Sequence, residues 1–115
     1  MIAARRTPPR LIVEVRGGRA NGTKAVLDAG RTLRFGRTEL TDVAVPGDEM
    51  LSGVHFELSW DGERCRLRDR KSHGGTTLGG APVLTAEVPH GGWIRAGRTD
   101  FLVHVRFEIT VPQAG

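Results

Sequence analysis

A single cysteine, Cys65, and the absence of any long apolar run set the first limits on this 115-residue chain. One thiol forms no intramolecular disulfide and no thiolate metal cluster, and it fits a reducing compartment. No stretch approaches the roughly 20 apolar residues that a membrane-crossing helix requires. Basic residues occur between Met1 and Arg10, but no apolar run follows them before Leu11. No signal peptide is expected, and cytoplasmic residence is the default. Lysine is scarce: all but two of the 17 basic residues are arginine, whose planar fork suits phosphate and carboxylate. Set against 13 acidic residues they give +4, a weak preference for anionic partners. Nucleic-acid binders carry denser basic patches, so neither a nucleic acid nor a membrane is the expected partner.

What is abundant is glycine, 16 residues of it, with apolar residues gathered in short runs. Together they indicate many turns, few long helices and one domain with a modest core. Leu11 to Arg16 alternates with Leu11, Val13 and Val15 on one face. Lys24 to Leu27 and Arg31 to Phe35 follow, then Val43 to Val45. His55 to Trp60 places Phe56, Leu58 and Trp60 on one face and His55, Glu57 and Ser59 on the other. Asp61-Gly62 predicts a tight hairpin in which both residues take positive φ. The returning strand, Glu63 to Asp69, puts Cys65 and Leu67 inward and Arg64, Arg66 and Arg68 outward. Short strands are expected at Leu78, Val83-Leu84 and Trp93 to Arg95, and Phe101 to Ile109 forms the longest alternating stretch. Both Trp60 and Trp93 sit at phases that favour the core. Strands this short, with turn signals about every eight to twelve residues, predict an all-β sandwich or barrel.

The residue types of a catalytic triad are present: Ser52 and His55 three apart, with Asp42, Asp48 and Asp69 around them. Short polar residues also fill ordinary loops, and no sequence feature bonds these groups to one another, so a non-enzyme is expected. His55, His73, His90 and His104 are too widely spaced to suggest a metal site, and no cofactor is implied. The three arginines of the 64–68 strand lack interleaved exposed aromatics and read as a solvent face. Gly36-Arg37, Ser52 and the Arg70–Gly75 loop make a more coherent set. A sharp bend beside a guanidinium, a hydroxyl and free amides in a glycine-rich turn can cradle an anion, although each alone also serves as a plain turn or surface group.

Taken in order, these loops resemble the forkhead-associated (FHA) family. Its first signature, an apolar strand ending in Gly-Arg, is similar to Leu33-Arg34-Phe35-Gly36-Arg37, and an aspartate before a short strand is matched by Asp42-Val43-Ala44-Val45. Serine followed three residues later by histidine is matched at Ser52-Gly53-Val54-His55. The third signature resembles Asp69-Arg70-Lys71-Ser72-His73-Gly74-Gly75-Thr76, with a later turn at Gly79-Gly80. Trp93 to Gly97 with Phe101 to Val103 is similar to the closing hairpin.

The resemblance spans residues 11–109, leaving 1–10 as a disordered lead-in and 110–115 as a tail. It implies a two-sheet β-sandwich of about ten or eleven short, mostly antiparallel strands. It also implies a phosphorylated protein or peptide, phosphothreonine above all, as partner. Arg37, Ser52, Gly53, Lys71, Ser72, His73 and Gly74 would then contact the phosphopeptide, while Gly36, His55, Asp69, Gly75 and Thr76 would be structural. Departures from the family occur at Gly53, Gly74 and Gly79, where larger polar side chains are usual, and at His73, where a threonine is common. A phosphate-independent docking module is the alternative. Oligomeric state is left open.

Overall fold

The computed structural model describes residues 5, 6, 8–107, 109 and 110, and among these there is no helix. In chain order the strands are β1 (Arg5–Arg6), β2 (Arg10–Arg16), β3 (Lys24–Leu27), β4 (Arg31–Gly36), β5 (Val43–Ala44), β6 (Phe56–Trp60), β7 (Cys65–Asp69), β8 (Thr76–Leu78), β9 (Ala81–Val83), β10 (Thr85–Val88), β11 (Trp93–Ala96), β12 (Thr99–Arg106) and β13 (Ile109–Thr110). One sheet has five strands in the order β10-β7-β6-β4-β5, the other six in the order β3-β2-β12-β11-β8-β9. Every pairing is antiparallel except β4 with β5. A two-stranded ribbon, β1 with β13, joins the stretch that the sequence assigns to the lead-in to one that straddles the end of the domain and the start of the tail.

Alternation along the strands decides which side chains meet between the sheets. Leu11, Val13 and Val15 of β2 and Phe101 and Val103 of β12 come from one sheet. Phe35, Phe56, Leu58, Cys65 and Leu67 come from the other, and all are buried. Phe35 stacks on Phe56 with ring centroids 4.8 Å apart, and Phe101 meets both edge-on, at 5.6 and 5.0 Å. Each such ring contributes about 1.5–3 kcal/mol by burial, so this trio is a main fastening between the layers. Burial also pushes the Cys65 thiol up to about 12, which makes it an inert core group.

Several expectations are corrected here. Trp93 is 44% exposed, because Ile94 and Ala96 hold the inward phase of β11; its indole donates to Asp100 Oδ1 at 2.8 Å on the outer face. The 60–65 hairpin has a four-residue loop, and only Gly62 takes a positive φ. Asp61 Oδ1 instead accepts the amides of Glu63 and Arg64. The alternating face of the last long strand holds through Val105 and then stops, since pairing ends at Arg106 with Arg10, and Phe107 is 68% exposed. The side chain of Ile109 and residues 111–115 lie outside the described residues. β10 was not anticipated: Thr85–Val88 pairs with β7, and only Val88 of its four residues is buried. His55 precedes β6 and is fully buried rather than facing outward.

Candidate functional site

Three loops converge beyond the end of β4. The first follows Gly36, the second runs from Val45 to His55, and the third links β7 to β8. Gly36 is where they can meet. A side chain there would fall on the Gly53 carbonyl and come within 2.9 Å of Ser52 O, so only glycine lets the second loop lie against β4. Backbone bonds then lock the approach: Arg37 N donates to Ser52 O at 3.0 Å, and Thr38 N to Gly53 O at 3.3 Å. The Thr38 hydroxyl adds a bond to the same Gly53 carbonyl at 3.1 Å. Thr38 was not singled out from sequence, where it is one polar loop residue among many.

His55 is the buried post between the second and third loops. Its Nδ1 accepts the Ser52 amide at 3.1 Å, and its Nε2 is 2.7 Å from Gly75 O. That arrangement fixes the tautomer with the proton on Nε2, donated to the Gly75 carbonyl. Its backbone amide donates to Phe35 O and its carbonyl accepts from Arg70 N. The imidazole meets the serine's backbone, not its hydroxyl, so no Ser–His catalytic pair exists here.

Asp69 shapes the third loop from within. Its Oδ2 accepts the Ser72 amide, and its Oδ1 accepts the hydroxyls of Ser72 at 2.5 Å and Thr76 at 2.7 Å. Burial alone would raise this carboxyl. The Ser72 and Thr76 hydroxyls and the Ser72 amide outweigh that and hold it below its usual 3.8. The Ser72 oxygen also accepts the Gly75 amide at 3.0 Å. Its proton is therefore committed to Asp69, which makes Ser72 a former of the loop and leaves no hydroxyl proton for a ligand. Lys71 is exposed at the tip with φ 54°, the one non-glycine residue in the left-handed region among those described.

What the loops leave open is a small group of donors. Arg37 is exposed; its Nε donates to Leu51 O at 3.2 Å, which aims the side chain, and among the described residues its two terminal nitrogens have no partner. Among the described residues no carboxylate forms an ion pair with it. Ser52 Oγ accepts the His73 amide at 2.9 Å, so its own proton stays available and the second and third loops are tied a second time. The structure thus brings Arg37, Ser52 and His73 to adjoining positions, with Gly53 and Gly74 flanking them. A side chain at Gly53 would make ordinary contact with Thr38, and one at Gly74 would come no closer than 4.0 Å to Met50 O. Neither glycine has a positive φ, so neither is required by the backbone.

Asp48, drawn from sequence as a possible orienting acid, has a different place. It is 7% exposed and accepts from Met50 N, Arg98 N and the Thr99 hydroxyl, pinning the second loop to the β11–β12 turn. Partners 50 residues distant leave no local signal. Asp42 likewise accepts the Arg34 amide at 2.7 Å and braces β4. Of the three arginines expected to face outward, Arg64, in the hairpin loop just before β7, pairs with Glu87 at 3.6 Å, and Arg68, on β7, pairs with Glu57 at 3.9 Å.

The model of the FHA domain family matches residues 33–97, more than half of the chain and all three of the converging loops. The FHA domain-containing protein FhaA of Mycobacterium tuberculosis is 34% identical over 71 residues, 62% of this chain and 13% of that protein. The chain is thus similar to a small part of a much longer relative. A structure solved in a study of phosphothreonine-dependent FHA domain interactions is 28% identical with a TM-score of 0.75, over 90% of this chain and 99% of that one. The FhaA FHA domain complexed with the intracellular domain of Rv3910 is 30% identical with a TM-score of 0.73, over 82% and 99%. With its two-sheet architecture and matched loops, the chain belongs to the FHA domain family, whose members are non-catalytic interaction modules that bind phosphopeptides.

Proposed function

We propose that this domain recognises phosphothreonine in a partner protein, with the phosphate seated between Arg37 and Ser52. The observation that carries the reading is the pair of Arg37 terminal nitrogens beside the Ser52 hydroxyl proton, all without a partner among the described residues. A phosphate carries about −1.5 to −2 charges, and charge-assisted hydrogen bonds are roughly twice as strong as neutral ones. Lys71 adds positive charge at the loop tip, and His73 lies beside Ser52 with its ring exposed. In this reading Gly36, His55, Asp69, Ser72, Gly75 and Thr76 hold the loops and touch no ligand. The phosphothreonine-dependent interactions described for a relative 28% identical support the choice of residue.

Calorimetry with matched peptides carrying phosphothreonine, phosphoserine or plain threonine tests the reading. Phosphothreonine should bind best, and Arg37→Ala should weaken it about ten- to hundredfold, the loss of one or two charged hydrogen bonds. Equal binding of phosphorylated and plain peptides would refute it. A phosphate-independent docking role is the second reading, favoured by Gly53 and Gly74, which supply no side chain to grip a peptide although the backbone has room for one.

A further inference from the structure

The outer face of the six-stranded sheet is not uniformly polar. On β11, β12, β2 and β3, which lie side by side in that order, the inward phase belongs to residues such as Ile94, Phe101, Val13 and Leu27, all buried. The opposite phase holds Trp93, Leu102, Ile12 and Val26. Trp93 pairs with Leu102 and Ile12 with Val26, while Leu102 and Ile12 are diagonal neighbours across the β12–β2 pair. Together they form one apolar stripe from β11 to β3, bordered by His104 opposite Ile12. Trp93 is 44% and Val26 51% exposed, and Ile12 and Leu102 are half-buried. The indole of Trp93 is already fixed: its Nε1 donates to Asp100 Oδ1, and Arg95 braces the same oxygen at 3.1 Å. Its one polar atom is satisfied and its ring is oriented, so covering it costs little side-chain entropy, as suits an interface anchor. Charge around the stripe is unequal. Arg10 pairs with Asp28, Arg16 with Glu14 and Arg95 with Asp100, whereas Lys24 and Arg106, both exposed, have no carboxylate partner among the described residues.

We infer that this stripe docks an amphipathic helix of a partner protein, one whose apolar side is flanked by Asp or Glu. The backbone of β11, β12 and β2 is paired on both edges, so an occupant lying over it finds no free amide or carbonyl and must close its own backbone bonds. A helix does so; an extended peptide does not. The basic excess at the rim selects acidic flanks. A second copy of this chain fits poorly, because each copy carries +4 and would set one basic rim against another. Neighbouring strands lie about 4.8 Å apart and the diagonal step adds about 7 Å, so the stripe is about 16 Å long and about eleven residues of helix cover it. Apolar residues at i, i+4, i+7 and i+11 would meet it. The stripe shares no residue with the loops that carry Arg37 and Ser52, and the inference does not rest on the phosphothreonine reading.

An NMR titration of the whole chain with synthetic helices of about 18 residues tests the inference. One probe carries a leucine stripe flanked by glutamates, a second the same stripe flanked by lysines, and a third the glutamate composition with the stripe scrambled. At up to about 1 mM the glutamate probe should shift the Trp93 indole signal and the amides of Ile12, Val26 and Leu102, while the amides of Arg37 and Ser52 stay in place. The lysine probe should bind about two- to fivefold more weakly at low salt, with the gap closing at about 0.5 M, and the scrambled probe should leave the stripe unshifted. Trp93→Ala and Val26→Lys should each weaken the glutamate probe about tenfold, with the amides of buried Phe101 and Leu58 unmoved as the sign of an intact fold. Signals of the stripe that no probe shifts, equal binding of the glutamate and lysine probes, or full binding by both variants overturns the docking site. Stripe signals that move with protein concentration alone also overturn it, since the occupant is then a second copy.

Discussion

Removing the imidazole at position 55 should loosen two loops at once. His55 is fully buried, and His55→Ala severs the bonds to Ser52 N at 3.1 Å and Gly75 O at 2.7 Å. Each bond contributes about 0.5–1.5 kcal/mol net, and the void left by the ring adds about 1–2. The released groups lie near the surface, where water can reach them, so the sum stays near about 2–5 kcal/mol instead of rising further. A domain of this size holds about 5–15 kcal/mol, so the variant should remain folded at room temperature with Tm lowered by roughly 8–20 °C. Urea denaturation gives the stability, and amide exchange gives the location: the Ser52 amide should lose its protection while amides in β2 and β12 keep theirs. Phosphopeptide affinity should fall too, since Ser52 is positioned through that amide. A stability loss below about 1 kcal/mol, or a Ser52 amide that exchanges as slowly as before, would refute the role assigned to His55.

Gly36→Ala forces a methyl group onto the Ser52–Gly53 backbone and should abolish phosphopeptide binding with a stability loss of about 2 kcal/mol or more, read by calorimetry and thermal melting. Gly74→Asn meets open space and unstrained backbone, so stability should change by less than about 0.5 kcal/mol, while an added amide tightens the phosphothreonine peptide about two- to tenfold. An unchanged affinity would show that the peptide does not pass this position. Asp48 is held below its usual 3.8: burial raises it, but the Thr99 hydroxyl, the Arg98 and Met50 amides and the Arg98 charge together prevail. A carboxyl lowered by folding stabilises above its unfolded value and loses that contribution as pH falls through the folded one. Stability should therefore drop as pH goes below about 4, and Asp48→Asn, less stable at neutral pH, should show a shallower acid limb in denaturation curves.

Much of the fold was legible because a strand writes its two faces into the sequence with period two. Leu11-Val13-Val15, Phe56-Leu58-Trp60 and Cys65-Leu67 each bury as a set. Gly36 before Arg37, and Ser52 three residues before His55, marked the loops that meet. The alternation does not say where a strand begins to face outward, and Trp93 shows this. Its phase was set by Ile94 and Ala96, which pair with Leu78 and Thr76 of β8 and with Phe101 and Thr99 of β12. Nor does residue type reveal whether a hydroxyl is free. Ser52 and Ser72 look alike in a loop, yet the Ser72 proton goes to Asp69 and the Ser52 proton to no described partner.

The sequence by itself determined the class of fold and the loops that carry the chemistry, since turn residues and alternating apolar positions act over a few neighbours. Only the tertiary structure decided which donors stay open. It alone pinned the second loop to the β11–β12 turn, because the bonds that do so join residues about fifty positions apart, as between Asp48 and Arg98. Such pairings are fixed by sheet register and by the meeting of the two layers, which no short stretch of chain encodes.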